Sequence, residues 1–375
     1  MRVVINGWFW ERPATGSGQY LRHLVAAFAD LPAKCAVRVL LPGIPPPPAL
    51  GPVTFQTLPV RPGHRGKVLW EQVAVPRAAR QMGADVLHVP YWAPPLRAAM
   101  PVVVTVHDLI PLLLPEYRGG AAVRLYTHLV RVATTRAAVV LTDSEASRQD
   151  IVRHLRVHAS RVQTIHLAAS SAYRPEPSPG DAHVLAALGL QPGYVLYLGG
   201  FDARKNLQAV CTAFAQLSQV VSNARLVIAG KLPSGDSAFA PDPRRLAREA
   251  GIPASAITFT GFVPDAQVPA LYRGARVFIF PSTFEGFGLP PLEALSCGVP
   301  VVASQASSLP EVVGEGGLLV PPMERAALVH ALQRLMTDDG LHADLRRRAL
   351  QQAARFSWAQ TAKLTLAAYG AGCST

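Results

Sequence analysis

Short apolar segments rich in β-branched residues alternate with helix-like segments along almost the whole chain, and this alternation constrains the fold more than any other feature. The segments predicted as strands are Arg2–Asn6, Val37–Leu41, Val53–Leu58, Asp85–Val89, Val102–Val106, Val139–Thr142, Val195–Leu198, Leu226–Ala229, Ile257–Thr260, Val277–Phe280 and Val299–Val302. The helix-like segments include Gln19–Ala29, Gly120–Ala137, Lys205–Val220 and Pro290–Cys297. Near-continuous apolar strands separated by helices are typical of parallel sheets that helices cover on both faces.

A stretch rich in proline interrupts this alternation between Tyr173 and Gly193. Such composition is typical of a linker between domains, and 375 residues are enough for two hydrophobic cores. We therefore expect an α/β protein with two doubly wound, Rossmann-like domains, residues 1–175 and 176–355, that face a central cleft. Residues 356–375 should form a C-terminal helix that packs back toward the N-terminal domain. Ligands of such sheets bind at the carboxyl ends of the strands.

Charge is distributed unevenly between the two halves of the chain. Residues 1–175 contain 20 Lys and Arg against 9 Asp and Glu (20 − 9 = +11), whereas residues 176–375 contain 16 against 15 (16 − 15 = +1). This asymmetry predicts that the N-terminal half meets phosphate groups or a membrane surface. Nucleic acid is the alternative anionic partner, but aromatic residues are not interleaved with the basic ones and no nucleic-acid-binding motif occurs. We therefore expect no nucleic-acid partner.

The sequence predicts a cytoplasmic protein. The four cysteines form no C-x-x-C pair, which favours reduced thiols over a disulfide framework. No signal-peptide pattern follows Met1, and no segment approaches the roughly 20 apolar residues that a membrane span needs. The segment Gly120–Ala137 places Arg124, His128 and Arg131 on one helix face. This face is predicted either to be solvated or to contact anionic lipid peripherally, at the inner face of the membrane.

The segment after Phe280 carries the strongest candidates for chemistry. A strand ends there, a glycine-containing loop follows, and a helix begins near Pro290, where proline suits the first turn. Glu285 in the loop and Glu293 in the helix are separated by seven residues. Surface acids on an ordinary strand–loop–helix are one interpretation, and contacts with sugar or ribose hydroxyls are the other. A phosphate could face the positive end of the helix dipole at the backbone N–H groups of Gly286, Phe287, Gly288 and Leu289.

Two adjacent cations follow the first strand of the C-terminal half. The strand ends at Gly199 and Gly200, and Arg204 and Lys205 come next. Fixed cations at this position would stabilise the negative charge that develops on a leaving diphosphate, whereas the plainer interpretation is a solvated helix start. No D-x-D pair, cysteine cluster or H-E-x-x-H motif occurs, so we expect neither a metal ion nor a cofactor.

The N-terminal half offers fewer candidates. Gly16 and Gly18 open a helix ten residues after the first strand. They lack the third glycine of a dinucleotide fingerprint and lie too far from the strand, which argues against an NAD site. His107 ends a predicted strand, where functional residues of parallel sheets gather, although a lone histidine is more often structural.

Two serines are predicted to be structural N-caps. Ser308 and Glu311 have the spacing of a capping box, in which the serine oxygen accepts from the backbone of the first helical turn. Ser144 precedes a second short helical segment with Glu145 in its first turn. Neither serine is assigned to chemistry.

Taken in order, these segments resemble the retaining, nucleotide-sugar-dependent glycosyltransferases of family 4, which have the GT-B fold. The family signature of two glutamates separated by seven residues is matched by Glu285 and Glu293. Within this family, the sequences of the matching segments look most like those of bacterial mannosyltransferases of surface-polysaccharide assembly. The other matching segments are Gly16-Ser-Gly-Gln-Tyr-Leu, His107-Asp-Leu-Ile-Pro, Asp143-Ser-Glu-Ala-Ser, Gly199 with Arg204-Lys-Asn, Thr260-Gly-Phe-Val and Ser307-Ser-Leu-Pro-Glu-Val.

The resemblance implies catalytic roles for four residues. Glu285 would hold donor-sugar hydroxyls or stabilise positive charge at the anomeric carbon. Arg204 and Lys205 would stabilise the leaving diphosphate, with Arg204 replacing the arginine that many relatives have in place of Gly200. His107 would contact the donor sugar and not act as a general base, because the leaving phosphate would accept the acceptor's proton.

The resemblance also implies a donor site. Glu293 would bind the ribose hydroxyls, and the glycine positions would let the backbone approach the donor at Gly16, Gly18 and Gly199. The nucleotide base would contact the backbone of Gly261, Phe262 and Val263, although a tight turn explains these three residues equally well.

The implied reaction is retaining transfer of a hexose, first of all mannose from GDP-mannose, to a glycan or lipid-linked glycan. The N-terminal domain would bind the acceptor and the C-terminal domain the nucleotide sugar, which is a co-substrate rather than a cofactor. UDP-glucose or another UDP-sugar is the alternative donor. A nucleotide-sugar epimerase of the same fold and a non-catalytic scaffold are alternatives from other classes.

Overall fold

The protein is described by a computed structural model covering residues 1–31 and 35–373. Packing divides the chain into two compact units, the first formed by Met1–Leu167 with the residues from Ser357 onward and the second by Ala168–Phe356. Each unit is built on one parallel sheet. The expected α/β fold with two Rossmann-like domains is therefore confirmed.

The first unit contains a sheet of seven strands. These strands are β1 (Arg2–Asn6), β2 (Ala36–Pro42), β3 (Val53–Leu58), β4 (Val86–Val89), β5 (Val102–Thr105), β6 (Val139–Thr142) and β7 (Val162–Thr164). They are parallel, in the spatial order β3-β2-β1-β4-β5-β6-β7. The helices between them are α1 (Gly16–Ala29), α2 (Gly63–Leu69), α3 (Val75–Gln81), α4 (Ile110–Leu113), α5 (Ala121–Thr134) and α6 (Glu145–Asp150). A π-helical turn, Trp70–Ala74, joins α2 to α3.

The second unit contains a sheet of six parallel strands. These strands are β8 (Tyr194–Leu198), β9 (Leu226–Ala229), β10 (Ile257–Gly261), β11 (Ala275–Phe280), β12 (Val301–Ser304) and β13 (Gly317–Val320). Their order is β10-β9-β8-β11-β12-β13. The helices are α7 (Asp181–Ala187), α8 (Leu207–Val220), α9 (Pro243–Glu249), α10 (Val268–Gly274), α11 (Leu289–Ser296), α12 (Leu309–Val313), α13 (Arg325–Thr337) and α14 (Asp339–Ala353).

The strands in the middle of each sheet are mostly apolar because both faces of the sheet are covered. In β8, Val195 and Tyr197 pack into the core on one face, whereas Tyr194 and Leu196 pack into the core on the other. Successive side chains of a strand point to opposite faces, so a strand that is buried on both sides has a continuous run of apolar residues in its sequence. This is the pattern from which the sequence predicts parallel sheets.

The proline-rich stretch differs from its prediction, because it is packed into the second unit rather than forming a linker. It contains α7, whose Leu185 is buried against the sheet. Asp181 at the start of α7 pairs with Arg273 at 2.6 Å, and the ring of Tyr173 lies 5.8 Å from that of Tyr272. The division between the units accordingly follows Leu167 rather than residue 175.

The last helix, α15 (Trp358–Cys373), is part of the first unit. Thr361 donates a hydrogen bond to the carbonyl of His166 at 2.7 Å, and the Tyr369 hydroxyl lies 2.7 Å from His88 Nδ1. Close to Gly372 are Val103 of β5 and Val139 of β6. Among the helices of residues 1–31 and 35–373, none combines the length and the apolar character that crossing a membrane requires.

Candidate functional site

The loops that carry the predicted donor-site residues follow β8 and β11, the two central strands of the second sheet. These strands are neighbours, and the connections from them lead to opposite sides of the sheet. In open parallel sheets, the crevice outside the carboxyl ends of such strands is the usual ligand site. Residues 199–206 leave β8 here, and residues 281–288 leave β11.

Lys205, Arg204 and Glu285 meet between these two loops. The ammonium of Lys205 donates to Glu285 Oε1 at 2.6 Å, and Nη1 of Arg204 lies 2.8 Å from Glu285 Oε2. Nε of Arg204 is 3.0 Å from Asp202 Oδ1. The Lys205 ammonium also lies 4.8 Å from the ring centre of Phe280, within the range of a cation–π contact. Three residues that were predicted to be catalytic therefore form one ion-pair cluster.

The charge of Glu285 is stabilised by this cluster. Burial by itself would raise the pKa of Glu285, but the Lys205 ammonium and the Arg204 guanidinium more than offset that effect and hold the pKa below its usual range. Glu285 is therefore a carboxylate at neutral pH, with both of its oxygens facing cations.

Hydrogen bonds between the two loops fix the cluster. The backbone N–H of Thr283 donates to the Arg204 carbonyl at 2.8 Å, and the Ser282 hydroxyl donates to the same carbonyl at 3.2 Å. The Arg204 side chain donates back to the Phe284 carbonyl at 2.9 Å. Such reciprocal bonding holds the two loops in register, so the cluster is preorganised rather than assembled by a ligand.

Ser308 does not form the predicted capping box. Its side chain makes no capping bond to α12. Instead, the hydroxyl donates to the carbonyls of Glu285, at 3.0 Å, and Phe287, at 2.6 Å. Ser307 also donates to the Glu285 carbonyl. Both serines thus support the glutamate loop, because unpaired carbonyls in this buried position would be costly. Ser144, by contrast, accepts from the backbone N–H of Ser147 at 3.0 Å and is the N-cap that the sequence predicts.

Glycines shape the backbone at both strand ends. Gly288 has a φ of +113° as the residue before α11, and Gly199 has a φ of +156° directly after β8. Both values strain any residue with a Cβ atom. Gly286, Phe287 and Gly288 lead into the helix, which begins at Leu289 as the sequence predicts to within one residue.

Glu293 lies in α11 and is almost fully buried. Its Oε2 accepts from the Tyr272 hydroxyl at 3.0 Å. Burial raises the pKa of Glu293 to about 7, and hydrogen bonds from Tyr272 and Tyr173 offset part of that effect. The two glutamates of the motif therefore differ in protonation near neutral pH, since Glu285 is ionised and Glu293 is close to half ionised.

The three residues at the end of β10 and just after it differ from one another in exposure. Gly261 has a φ of +68°, and its carbonyl accepts from the Gly230 backbone N–H at 2.9 Å. The side chain of Val263 is part of the hydrophobic core, whereas Phe262 is 64% exposed. A turn that closes against Gly230 accounts for Gly261 and Val263, and only the exposed ring of Phe262 is left without a packing role.

In the first unit, His107 pairs with a residue that the sequence analysis left without a role. Nδ1 of His107 lies 2.6 Å from Oδ2 of Asp143, which directly follows β6. Burial lowers the pKa of His107, but the carboxylates of Asp143 and Asp108 outweigh it and raise the pKa above its ordinary value. Asp108 itself accepts from the Ile110 backbone N–H at 2.9 Å and so begins α4.

Gly16 and Gly18 lie in the first turn of α1, and their surroundings differ. A Cβ atom at Gly18 would collide with the carbonyl of Arg12. The contact between these two backbone segments is therefore enough to explain glycine at position 18. At Gly16, apart from its chain neighbours and its own helical turn, no described residue comes within 4 Å of the Cβ position. The Cβ side of the backbone is therefore open at Gly16 and blocked at Gly18. Donor binding at both glycines stays a prediction.

The supporting residues were the part of the site that sequence reasoning missed. Asp202, Tyr272 and Asp143 each contact a predicted site residue, yet none was assigned a function. Asp143 could have been found, because it is an acid placed directly at the carboxyl end of a strand. Tyr272 could not, because only the fold brings α10 beside α11. Within residues 1–31 and 35–373, no group of three or more His, Cys, Asp and Glu side chains is arranged to hold a metal ion.

Comparison with known proteins gives matches over both units. Residues 186–354 match the family described as "Glycosyl transferases group 1", and residues 14–169 match "Glycosyltransferase Family 4". The O-antigen chain mannosyltransferase B of Escherichia coli is 38% identical over 269 residues, which are 71% of this chain and 69% of that protein. The serotype-specific mannosyltransferase WbdA of Escherichia coli is 32% identical over 70% of this chain but only 32% of its own length.

Solved structures show the same arrangement of secondary structure. The sucrose-phosphate synthase of Thermosynechococcus elongatus superposes with a TM-score of 0.78 over 99% of this chain and 98% of that one, at 22% sequence identity. At this identity the similarity concerns the fold alone, which is the GT-B fold with its two Rossmann-like domains.

Proposed function

Because the chain belongs to glycosyltransferase family 4, we propose that it transfers mannose from GDP-mannose to a glycan or lipid-linked glycan, with retention of the anomeric configuration. One observation carries this proposal: Arg204, Lys205 and Glu285 form a fixed cluster at the carboxyl ends of β8 and β11. Two cations beside one carboxylate suit a reaction that separates charge between a sugar and a diphosphate.

The choice of mannose rests on the relatives. The names of both relatives describe mannosyltransferases, one of the O-antigen chain and the other serotype-specific. This chain spans 69% of the first protein and about a third of the second. The sugar, the donor nucleotide and the acceptor are accordingly parts of the proposal.

The proposed chemistry breaks the bond between C1 of mannose and the diphosphate oxygen. The electron pair of that bond passes to the diphosphate, where Lys205 and Arg204 stabilise it. The acceptor hydroxyl forms the new bond to C1 on the same face and gives its proton to the leaving phosphate. Glu285 holds the two cations in position and faces the positive charge that develops at C1.

Two further contacts would hold the nucleotide. The carboxylate of Glu293, ionised above about pH 7, would accept hydrogen bonds from the ribose hydroxyls. The exposed ring of Phe262 would lie against the base, since such a ring loses water-exposed apolar area on stacking. The phosphate charge would be balanced by side-chain cations and the N-terminus of α11 rather than by a metal ion, and no cofactor is needed.

Peripheral contact with an anionic membrane at the cytoplasmic face is the last part of the proposal. Helix α5 carries Arg124 on an exposed surface beside the exposed apolar residues Val123 and Leu125. An exposed helix with basic and apolar side chains can rest on anionic lipid, where an acceptor anchored to lipid would be found.

The experiment is a thermal-shift titration of the purified protein with GDP, UDP, ADP and CMP. A ligand that binds only the folded state raises the midpoint of unfolding. A shift with GDP alone supports the proposed donor. A shift with UDP alone replaces the donor by a UDP-sugar. If none of the nucleotides shifts the midpoint, the nucleotide-sugar reaction is contradicted.

A further inference from the structure

The first unit contains a cavity at the edge of the sheet that lies away from the candidate site. Its volume is about 650 Å³, within the roughly 300–1,000 Å³ of ligand pockets. Val102 begins β5 beside it, Ala138 directly precedes β6 and Arg161 directly precedes β7, so it lies at the amino ends of three strands. His107 and Asp143 follow the carboxyl ends of β5 and β6. Because these strands are parallel, the cavity and the His107–Asp143 pair lie at opposite edges of one sheet.

Three arginine side chains line this cavity: Arg97, Arg136 and Arg161. Arg97 and Arg136 are exposed, whereas Arg161 is half-buried. The other lining residues are apolar, Leu96 and Met100 being the largest of them. Within residues 1–31 and 35–373, no acidic side chain lines the cavity. The wall therefore combines a surplus of positive charge with apolar surface.

Backbone carbonyls, rather than carboxylates, hold two of the arginines in place. Nη1 of Arg161 donates to the carbonyls of Thr135 at 3.0 Å and Ala137 at 3.2 Å, just after α5 ends. Nη1 of Arg136 donates to the Leu96 carbonyl at 3.3 Å. A carbonyl orients a guanidinium without cancelling its charge, and the C-terminus of α5 offsets only about half a charge. In the described part of the chain these bonds use one nitrogen of each side chain, so the other N–H groups can donate to a ligand.

Guanidinium groups without carboxylate partners indicate an anionic ligand. One guanidinium is enough for a bidentate pair with a carboxylate, whereas a phosphate dianion has three acceptor oxygens and can be shared by three arginines. Inorganic phosphate would fill only a small part of the cavity. The apolar wall formed by Leu96, Met100 and Pro101 suits an organic group attached to the phosphate, because burying its apolar surface is favourable.

The surroundings of the cavity favour a dissolved ligand over a lipid surface. A site that rests on a membrane needs large apolar side chains that enter the lipid. On α5 such side chains are those of Val123 and Leu125, near its N-terminus. The cavity meets α5 at Ala133, about 12 Å farther along the helix than Leu125. In the part of the chain that the structure describes, none of the large exposed apolar residues lines the cavity.

We propose that this cavity binds a soluble phosphate monoester. The phosphate lies among Arg97, Arg136 and Arg161, and the organic group lies against the apolar wall. The site is separate from those of the donor and the acceptor, which are expected at the carboxyl ends of the strands. It does not depend on the proposed function, since none of its residues belongs to the donor site.

Met100 provides a direct probe, because it lines the cavity and is one of five methionines in the chain. The protein is prepared with ¹³C in its methionine methyl groups, and the Met100 signal is assigned by its absence from Met100→Leu. Phenyl phosphate is titrated at about pH 8, where it is a dianion, at constant ionic strength. Benzyl alcohol is the uncharged control. We expect phenyl phosphate, but not benzyl alcohol at the same concentrations, to shift the Met100 signal until it saturates.

Two double variants test the arginines. Arg97→Gln with Arg136→Gln, the cavity variant, removes two exposed cations and keeps Arg161, which bonds the end of α5. Arg77→Gln with Arg80→Gln is the matched control, because both arginines are exposed on α3 of the same unit and do not line the cavity. We expect the cavity variant to bind phenyl phosphate about tenfold more weakly or worse, as is typical for lost hydrogen bonds between charged groups. The control should keep the wild-type affinity.

A Met100 signal that stays in place in the wild type, or equal affinities of the cavity variant and its control, would overturn the site. Inorganic phosphate that binds as tightly as phenyl phosphate would overturn the assignment of an organic group. If phenyl phosphate does not bind, but vesicles containing phosphatidic acid bind the wild type and not the cavity variant, the ligand is a lipid headgroup and the assignment of a soluble one is wrong. None of these measurements uses GDP-mannose, so their failure is distinct from failure of the proposed function.

Discussion

Glu285 accepts a hydrogen bond from Lys205 at 2.6 Å, although 80 positions separate the two residues in the chain. Arg204 approaches the other carboxylate oxygen, and Asp202 approaches Arg204. Two cations and two carboxylates leave this group of four side chains without net charge. An incoming diphosphate therefore has to draw the cations partly away from the carboxylates, and each cation should be more important when the sugar leaves than when the donor binds.

Replacing Lys205 by alanine tests this directly. We expect kcat to fall by roughly 10²–10³, as is typical when one group that stabilises a developing negative charge is removed. The donor KM should change much less. Lys363→Ala is the control, since Lys363 is an exposed lysine on α15. Wild-type kcat in Lys205→Ala would exclude Lys205 as a stabiliser of the leaving group.

The affinity for GDP should depend on pH through Glu293. Burial raises the pKa of Glu293 to about 7, so its ionised fraction rises from about 10% at pH 6 to about 90% at pH 8. A ribose diol donates hydrogen bonds, and the carboxylate is the better acceptor. GDP should bind up to about tenfold more tightly at pH 8, as measured by calorimetry.

Two variants isolate this effect from the titration of GDP itself. Glu293→Gln has no proton to lose and should remove the extra tightening at high pH. Tyr272→Phe should move the midpoint above 7, because the Tyr272 hydroxyl lowers the pKa of Glu293. Identical pH profiles for the wild type and Glu293→Gln would remove Glu293 from the ribose site.

Asp143 should control the charge of His107. Its carboxylate raises the pKa of His107, so Asp143→Asn should lower that pKa, as seen in a histidine NMR titration. The turnover number should fall about 10–100-fold, because a hydrogen bond to a charged group contributes about 1.5–3 kcal/mol. A kcat loss without any change in the His107 titration would mean that Asp143 acts by another route.

Ser308 should matter for stability as well as for activity. Its hydroxyl donates to the carbonyls of Glu285 and Phe287, and Ser308→Ala removes both of these buried bonds, although Ser307 still donates to the Glu285 carbonyl. We expect the free energy of unfolding to fall by about 1–3 kcal/mol. Ser218→Ala, which removes a bond within one helix, is the comparison in a urea titration. Equal losses in the two variants would show that Ser308 has no special role in holding the loop.

Binding to anionic vesicles should depend on the basic side chains of α5. Each arginine close to an anionic surface contributes about 1 kcal/mol. Replacing Arg124 and Arg131 together by glutamine should therefore weaken partitioning roughly 30-fold in vesicles rich in anionic lipid, measured by flotation. Binding to neutral vesicles should not change. An unchanged partition into anionic vesicles would favour a face that is merely solvated.

Most of the fold could be predicted because its strands are short, apolar and buried on both faces. Eleven strand positions were predicted, and a strand is found at each. The strands that were missed, β7 and β13, are the last in their sheets. β7 has only three residues and β13 begins with glycine, so each gives a weaker strand pattern than the central strands of its sheet. The prolines before β8 suggested a linker. Composition alone does not show that this stretch contains a helix, α7, whose Leu185 is buried.

The candidate site was predictable where the motif lies in one segment. The spacing of Glu285 and Glu293 and the order of Arg204 and Lys205 are visible in the chain. Their partners are not, because Ser308 was expected to cap its own helix and instead bonds a loop more than twenty positions away. Contacts of this kind depend on how β11 and β12 lie side by side in the sheet.

Incubating the wild-type protein with GDP-mannose and a soluble oligosaccharide of mannose tests the central claim most directly. The product is analysed by NMR for the configuration of the new glycosidic bond. We predict a mannoside with the same anomeric configuration as the donor, and GDP released in equal amount. An inverted linkage would contradict the retaining mechanism, and GDP release with free mannose but no new glycoside would contradict the proposed transfer.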